Sequence, residues 1–297
     1  WLGQHLILKE AGGTIAAVAP LYLKNHSYGE YVFDWGWADA YERAGGHYYP
    51  KLQCSVPFTP VTGPRLMVPS DHDDCRKKQL RLALASGMIK LAEKLQVSSI
   101  HITFPLSKEW SELSQLGFLQ RTGQQFHWEN RGYENFDDFL SELTSRKRKA
   151  IKKERRAIKN MNINIRILSG SEITDFHWDT FFNFYLATTE KKWGQRYLER
   201  DFFPLIGKSM GEQIVLVVVE ENDKLVGGAL NLRDNKTLYG RNWGCLKTHK
   251  FLHFEVCYYQ AIEYAIANGL QKIEAGAQGY HKIQCLFRPE NLNLYLH

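Results

Sequence analysis

Side chains that could accept a proton stand in two stretches of the sequence. His26, Glu30 and Asp34 are interleaved with five aromatic residues between positions 26 and 37, and Glu274 lies in a strand-like segment that leads to His281. Polar groups in such surroundings either hydrogen-bond within a core or line a pocket. A positioned carboxylate or imidazole can also take a proton from a reacting group. We therefore predict Glu30, His26, Glu274 and His281 as candidate catalytic residues.

A structural interpretation of the same residues stays open beside this one. Glu30 and Asp34 could be the partners of buried Tyr or Trp groups and fix a strand. A lone histidine such as His26 more often serves structure than catalysis. For Glu274 the functional interpretation rests on its place in the middle of a strand, where an acid needs a reason to be.

A second set of residues could hold a substrate, because each member has a charged, amide, hydroxyl or aromatic side chain. The set comprises Asp34, Trp37, Lys51, Phe58, Thr59, Arg65, Arg241, Gln278 and Lys282. Of these, Lys51, Arg65 and Arg241 are expected to hold an anionic group. The expected pocket is formed by the loop 57–65, Glu30, Asp34 and the strand ends of the second half. The sequence has no metal-ligand spacing, GxSxG motif or P-loop, so we expect no metal site.

Hydrophobic patterning predicts a repeated scaffold for these residues. Between positions 225 and 282 the pattern indicates strand, turn, strand, amphipathic helix and strand. Val18–Lys24 aligns with Gly227–Arg233 at a constant offset of 209 residues. Further on, a predicted helix ends and a predicted strand begins within Leu95–Ile100, and the same change occurs within Leu270–Ile273. A repeat of this length indicates a duplicated domain.

The rest of the chain shows further element signals. We predict a hairpin over 5–24, a strand and its exit over 26–45, a rigid proline-rich loop over 48–68, a helix over 73–95, strands over 97–104 and 118–128, one basic helix over 136–160, and a hairpin over 214–232. Four of the nine prolines lie in the loop 48–68, which therefore is not expected to be a central strand.

Composition narrows the class of protein. A length of 297 residues suggests two domains, and no apolar run is long enough to span a bilayer. The five cysteines are scattered, which favours reduced thiols and a cytoplasmic location. The net charge is +6, and it is unevenly distributed. Nine Lys and Arg residues lie between Arg146 and Lys159, where the single acidic residue is Glu154. A polyanion would be expected there, with Arg146, Lys147, Arg148, Lys152 and Arg155 as candidate nucleic-acid contacts; the alternative is a solvated helix face.

Several literal strings carry a family resemblance. HSYGEYVFD (26–34), YPKL (49–52), VPFTPVTGPR (56–65), HFE (253–255) and EAGAQG (274–279) are similar to the FemAB-like branch of the GNAT N-acyltransferases, a family named for peptidoglycan biosynthesis or recognition. The resemblance implies a mixed α/β (α+β) fold of two tandem GNAT-like domains. They would span 1–132, with the loop 48–68 and an incomplete N-terminus, and 133–297, opening with the basic helix. The sequence departs from the family pattern at Tyr280 and Cys285.

The resemblance also implies transfer of an acyl or aminoacyl group to an amine, in a substrate that could be a cell-wall precursor. We expect no tightly bound cofactor and either acyl-CoA or aminoacyl-tRNA as co-substrate. The glycine-bearing pyrophosphate turn of GNAT enzymes is missing from 245–253, which has Lys247, His249 and Lys250 instead. The alternative is a non-catalytic module that binds a peptidoglycan precursor or another anionic ligand.

Overall fold

The protein divides into two compact units. The structure, a computed structural model, describes residues 1–32, 34–192, 196–276 and 287–296. One unit comprises Trp1–Gln125 with Glu290–His297, and the other Phe126–Pro289. The domain boundary expected at residue 132 and the incomplete first domain stay predictions. Within the described residues, no helix has the length and apolar character needed to cross a membrane.

The first unit is built on a sheet with the strand order β1–β4–β5–β6–β13, and β2 and β3 pair separately. Its strands are β1 Leu2–Gly3, β2 Leu6–Lys9, β3 Ile15–Ala19, β4 Leu21–Lys24, β5 Lys51–Cys54, β6 Ile100–Thr103 and the end of β13, Arg288–Leu296. Its helices are α1 Trp35–Arg43, α2 Asp74–Leu95 and α3 Ser107–Leu113, the last followed by a 3₁₀ turn at Ser114–Leu116. β7, Leu119–Glu129, begins in this unit and ends in the other.

Helix α2 forms where the sequence signals are strongest. Asp73 caps its N-terminus by accepting a hydrogen bond from the Arg76 amide, and Gln96 ends it in a left-handed conformation. Leu80, Leu84 and Met88 recur at helical spacing and are buried against the sheet. The predicted helix is therefore confirmed, with its cap at Asp73.

The second unit has a sheet with the order β7–β12–β11–β10–β9–β8. The strands after β7 are β8 Ile163–Leu168, β9 Ile214–Glu221, β10 Lys224–Arg233, β11 Thr237–Cys245 and β12 Lys272–Glu274. The helices are α4 Phe136–Ser141, α5 Ser145–Lys159, α6 Asp175–Lys192, α7 Phe202–Met210, α8 Leu252–Phe254, a π-helical turn Glu255–Tyr259 and α9 Gln260–Ala267, with 3₁₀ turns at Gly170–Glu172 and Gly211–Gln213. α9 packs its apolar face on the sheet through Ile262, Ala265 and Ile266.

Both units contain the predicted strand–strand–helix–strand order. β4 pairs antiparallel with β5, and after α2 the chain returns as β6, parallel to β5. In the same way β10 pairs antiparallel with β11, and after α9 the chain returns as β12, parallel to β11. The predicted mixed α/β fold class is confirmed.

Three element predictions were wrong. The strand expected over 26–45 is a loop followed by α1, whose single buried residue is Ala38, so its aromatic residues gave no inward-facing pattern. The proline-rich segment 48–68 contains the central strand β5, because Pro50 and Pro57 fall outside its four residues. The single basic helix is two helices, since Thr144 caps a new N-terminus by accepting from the Lys147 amide.

Candidate functional site

Four charged side chains of the first unit form a buried cluster, which we call the charged cluster: Lys24, Glu30, Asp34 and Lys51. Lys51 Nζ lies 2.9 Å from Glu30 Oε2 and 2.7 Å from Asp34 Oδ2, and Lys24 Nζ lies 2.9 Å from Glu30 Oε1. All four side chains are at most 1% exposed. Two cations and two anions balance, which is the condition under which such groups tolerate burial.

Neutral polar groups complete the cluster. Asp34 Oδ2 accepts hydrogen bonds from Tyr48 Oη at 2.8 Å and Ser27 Oγ at 2.9 Å, and His101 Nδ1 lies 3.5 Å from Lys51 Nζ. Burial opposes the charge on Asp34, but Lys51 and these donors outweigh it and lower the pKa of the carboxyl group. Burial, and then the Lys51 charge, lower the pKa of His101 to about 3, so this imidazole is neutral.

The charged cluster explains why the sequence places acids among aromatic residues here. It ties Glu30 and Asp34 to β4, β5 and β6, although the partners of Glu30 are lysines and not the Tyr or Trp groups of the structural interpretation. Glu30, Asp34 and His101 lie close enough together to ligate a metal ion, but the Lys51 ammonium already occupies the space among them. The catalytic role of Glu30 and the binding roles of Asp34 and Lys51 stay predictions.

The other candidates of the first unit are dispersed. Arg65 is buried and donates to the carbonyl oxygens of Thr103, Gly63, Pro64 and Val61, so it holds its own loop in place. The Thr59 hydroxyl donates to the Pro57 carbonyl oxygen. His26 is exposed and its Nδ1 accepts from the Tyr28 amide; partial burial and the Lys24 charge lower its pKa.

Two aromatic candidates occupy different environments. Phe58 packs with its ring centroid 5.9 Å from that of Trp1, and its ring fills the space beside Gly29. Trp37 is 57% exposed on α1, with the Arg121 guanidinium 5.5 Å from its ring centroid. Their predicted role in substrate binding is untested.

In the second unit a row of polar residues crosses three strands, and we call it the polar row: His127, Glu274 and Tyr239. Glu274 is in register with Tyr239 of β11 on one side and with His127 of β7 on the other. Residues in register point to the same face of a sheet. Lys272, two residues before Glu274, places Nζ 2.5 Å from Glu274 Oε1. Glu274 is 5% exposed, and its Oε2 has no hydrogen-bond partner among the described residues.

The polar row lies at the end of the described pairing between two parallel strands, β11 and β12. The pairing of β11 with β12 ends at Tyr239 and Glu274, whereas β11 continues to Cys245. No other described strand pairs with that edge of β11 beyond Tyr239. Gly240, the next residue, is exposed, and a Cβ atom there would lie 3.6 Å from the Glu274 carbonyl oxygen. An exposed backbone position of β11 and a buried carboxylate of β12 therefore adjoin each other at this point, and the next residue, Arg241, is half-buried.

Sequence reasoning selected Glu274 and missed His127. The signal was available, because Gln125, His127 and Glu129 alternate with the apolar Phe126 and Trp128 along β7. Such alternation predicts one polar and one apolar strand face. The candidates Gln278, His281 and Lys282, like Tyr280 and Cys285, lie outside the described residues.

Helix α5 has one docked face and one free face. Arg155 donates to Glu255 and Glu263, and Glu154 accepts from the Tyr259 hydroxyl, so these residues hold the helix on its own unit. Of the predicted nucleic-acid contacts, Arg155 is engaged in this docking and Lys152 pairs with Asp137 at 2.9 Å. Arg148 Nη1 lies 3.4 Å from the Ser141 carbonyl oxygen, and Arg146 and Lys147 are exposed.

The free face of α5 carries Arg146, Lys149, Lys153 and Arg156, which we call the basic stripe. All four are exposed, and none forms an ion pair with a residue in the described ranges. At a rise of about 1.5 Å per residue they extend over about 15 Å.

Solved structures share this fold. The C-terminal domain of a protein assigned as a lysylphosphatidylglycerol synthetase from Agrobacterium fabrum aligns with a TM-score of 0.61 at 9% identity, covering 99% of this chain and 84% of that one. L-PGS from Bacillus licheniformis aligns with a TM-score of 0.60 at 8% identity, covering 98% of this chain and 83% of that one. FemX aligns with a TM-score of 0.57 at 13% identity, covering 100% of this chain and 88% of that one. The protein thus has the α/β fold of these structures.

A family model gives a closer assignment. The model FemAB-like, described as peptidoglycan biosynthesis/recognition, matches residues 1–295. The chain therefore belongs to the FemAB-like family, which confirms the resemblance drawn from its literal strings. A search of curated proteins returned no match to the sequence.

Proposed function

We propose that this protein transfers an acyl or aminoacyl group from an activated donor to an amine at the polar row of its second unit. Membership of the FemAB-like family and the fold shared with FemX and L-PGS support this class of reaction. One observation carries the choice of site: the described pairing of β11 with β12 ends at the buried Glu274, beside the exposed Gly240.

The chemistry needs the groups that this site provides. The amine nitrogen attacks the donor carbonyl carbon, a C–N bond forms, and the C–S or C–O bond to the donor breaks. The nitrogen loses a proton, and the departing thiol or hydroxyl gains one. Backbone amides of β11 beyond Tyr239 could stabilise the oxyanion that develops on the carbonyl. Glu274 is the carboxylate on which removal of the amine proton depends.

Two features favour a donor carried on RNA over a CoA thioester. Two of the basic residues of the turn after β11 lie against one acid, since Lys247 Nζ lies 2.7 Å and His249 Nε2 lies 3.4 Å from Glu221. The basic stripe of α5, in contrast, has no acidic partner in the described part of the chain. Phosphate groups of a transfer RNA would supply one.

The reaction is tested by mass-spectrometric detection of product from CoA thioesters and aminoacyl-tRNAs offered with amine acceptors. Glu274→Gln should lower the transfer rate by about 100-fold or more, since positioned proton transfer, which depends on this carboxylate, contributes about 10²–10⁴-fold. Glu220→Gln, on β9, is the matched control and should transfer normally. Unchanged transfer by Glu274→Gln would exclude the site. Ligand binding with no product from any donor would instead support the non-catalytic binding module.

The preference for RNA has its own test. Lys149→Gln/Lys153→Gln removes two stripe charges one helical turn apart, and Lys90→Gln/Lys94→Gln removes an equally spaced exposed pair from α2. Only the stripe variant should weaken tRNA binding and reduce the slope of log K against log salt by about 1.5. Equal effects of the two variants, or binding that does not depend on salt, would contradict the preference.

A further inference from the structure

We propose that His127 is the proton acceptor of the polar row and that Glu274 is its positioning residue. This inference rests on the proposed function and assigns the proton-handling step to a named pair. The proton passes from the attacking amine nitrogen to an imidazole nitrogen of His127, and the imidazolium formed is stabilised by the Glu274 carboxylate. No other group is consumed in the step.

Strand register places the two residues opposite each other. The Ala275 amide donates to the Phe126 carbonyl oxygen at 3.4 Å, and the Asn130 amide donates to the Gln271 carbonyl oxygen at 2.8 Å. Between these hydrogen-bonded positions, His127 and Glu274 face each other at a non-hydrogen-bonded position of the antiparallel ladder. Such positions have the shorter Cα–Cα separation, about 4.5 Å, and the closer side chains.

Burial strengthens the electrostatic coupling of these two neighbouring residues. His127 is 4% exposed and Glu274 is 5% exposed. In surroundings of low dielectric, a carboxylate stabilises a neighbouring imidazolium much more than it would in water. An imidazole opposite a carboxylate also matches the general arrangement of a base oriented by a third group.

Other charged groups of the same face are placed to tune the pair. Lys272 of β12 contacts Glu274, Glu129 of β7 is in register with Lys272, and Tyr239 of β11 is in register with Glu274. Burial, and then its hydrogen bond to Asp234, raise the pKa of Tyr239 to about 12, so this phenol stays protonated at neutral pH. His127 is the member of the row whose ordinary titration range lies near neutral pH.

The pairing can be measured without turnover. In protein labelled with ¹³C and ¹⁵N at histidine, the His127 resonances are those lost in the spectrum of His127→Gln, and their titration gives the pKa. An adjacent carboxylate favours the imidazolium, so Glu274→Gln should lower the pKa of His127 by about 1 unit or more. The control Glu220→Gln should leave it unchanged. A His127 titration that does not respond to Glu274→Gln would overturn the pairing, whatever the protein catalyses.

The catalytic role is measured by the pH dependence of transfer. His127→Gln should lower kcat/KM by about 100-fold or more and abolish the acidic limb of the profile, whereas Glu274→Gln should shift that limb to lower pH. Transfer by His127→Gln with the wild-type pH profile would overturn this role. Failure of wild-type protein to form product would count against the proposed function, and the NMR titration would still decide the pairing.

Discussion

Replacing Lys51 by methionine tests whether the charged cluster of the first unit holds its fold. The Lys51 ammonium lies 2.9 Å from Glu30 and 2.7 Å from Asp34, at 0% side-chain exposure. Methionine fills a similar volume but leaves two buried carboxylates with Lys24 as their one remaining close cation. Removing one partner of a buried ion pair costs about 3–5 kcal/mol. We therefore expect a large loss of stability, well above that of an ordinary surface substitution.

Equilibrium urea unfolding followed by circular dichroism measures this loss. With a slope of about 2–3 kcal/mol per molar urea, the midpoint should fall by about 1–2 M. Lys108→Met is the matched control, because Lys108 also lies 2.7 Å from its acid, Asp74, but the two side chains are 50% and 80% exposed. The control should change the midpoint little. Lys51→Met/Asp34→Asn restores charge balance and should recover part of the loss; equal midpoints for the Lys51 and Lys108 variants would refute the reasoning.

Two pH effects and one packing effect follow from the same structure. The pKa of His101 is about 3 against an ordinary 6.5, so the unfolded chain binds more protons in that interval; stability should fall as pH drops from 6.5 to 3, and His101→Asn should flatten that part of the urea-midpoint profile. Burial lowers the pKa of Lys24 to about 8 from 10.5, so stability should rise from pH 8 to 10.5, and Lys24→Met should remove the rise. A methyl group at Gly244 would overlap the Phe184 carbonyl oxygen, so Gly244→Ala should cost about 1–3 kcal/mol in thermal melts, whereas Gly36→Ala in α1 should stabilise slightly; equal melts would contradict this.

Local signals in the sequence were sufficient for part of the fold. Asp73 and the spacing of Leu80, Leu84 and Met88 specify α2 within one stretch of chain. The turn of the β10–β11 hairpin is likewise indicated by Asp234, whose carboxylate accepts hydrogen bonds from the amides of Lys236 and Thr237. In these elements the residues that decide the structure are neighbours in sequence.

Elements that depend on distant partners could not be predicted in this way. β5 carries Lys51 and Gln53 in a central strand, where Lys51 Nζ donates to Glu30 and Asp34 and Gln53 Nε2 donates to the Thr103 hydroxyl. When those partners are not known, Lys51 and Gln53 between two prolines indicate a loop. A buried strand with polar side chains can be predicted only when the residues that bind those side chains are known.

The candidate site shows the same division. Glu274 was selected from the sequence because an acid within a strand is conspicuous. His127 was not, because its importance comes from strand register with a residue far along the chain. The basic helix could be predicted from its run of Lys and Arg. Which of these residues dock the helix and which form the basic stripe could not, because Arg155 is bound by Glu255 and Glu263, about 100 residues along the chain.

The most direct test of the central claim is the rate of acyl transfer when the end of the β11–β12 pairing is obstructed. A Cβ at Gly240 would meet its nearest atoms at 3.6–3.8 Å, ordinary contact distances, so Gly240→Ala should keep the wild-type unfolding midpoint, and the midpoint of Gly240→Val is measured beside it. Product formation, followed by mass spectrometry, should fall modestly in Gly240→Ala and by about 100-fold or more in Gly240→Val, because the larger side chain occupies the place of the reacting carbonyl. Wild-type transfer by a folded Gly240→Val variant would contradict the account.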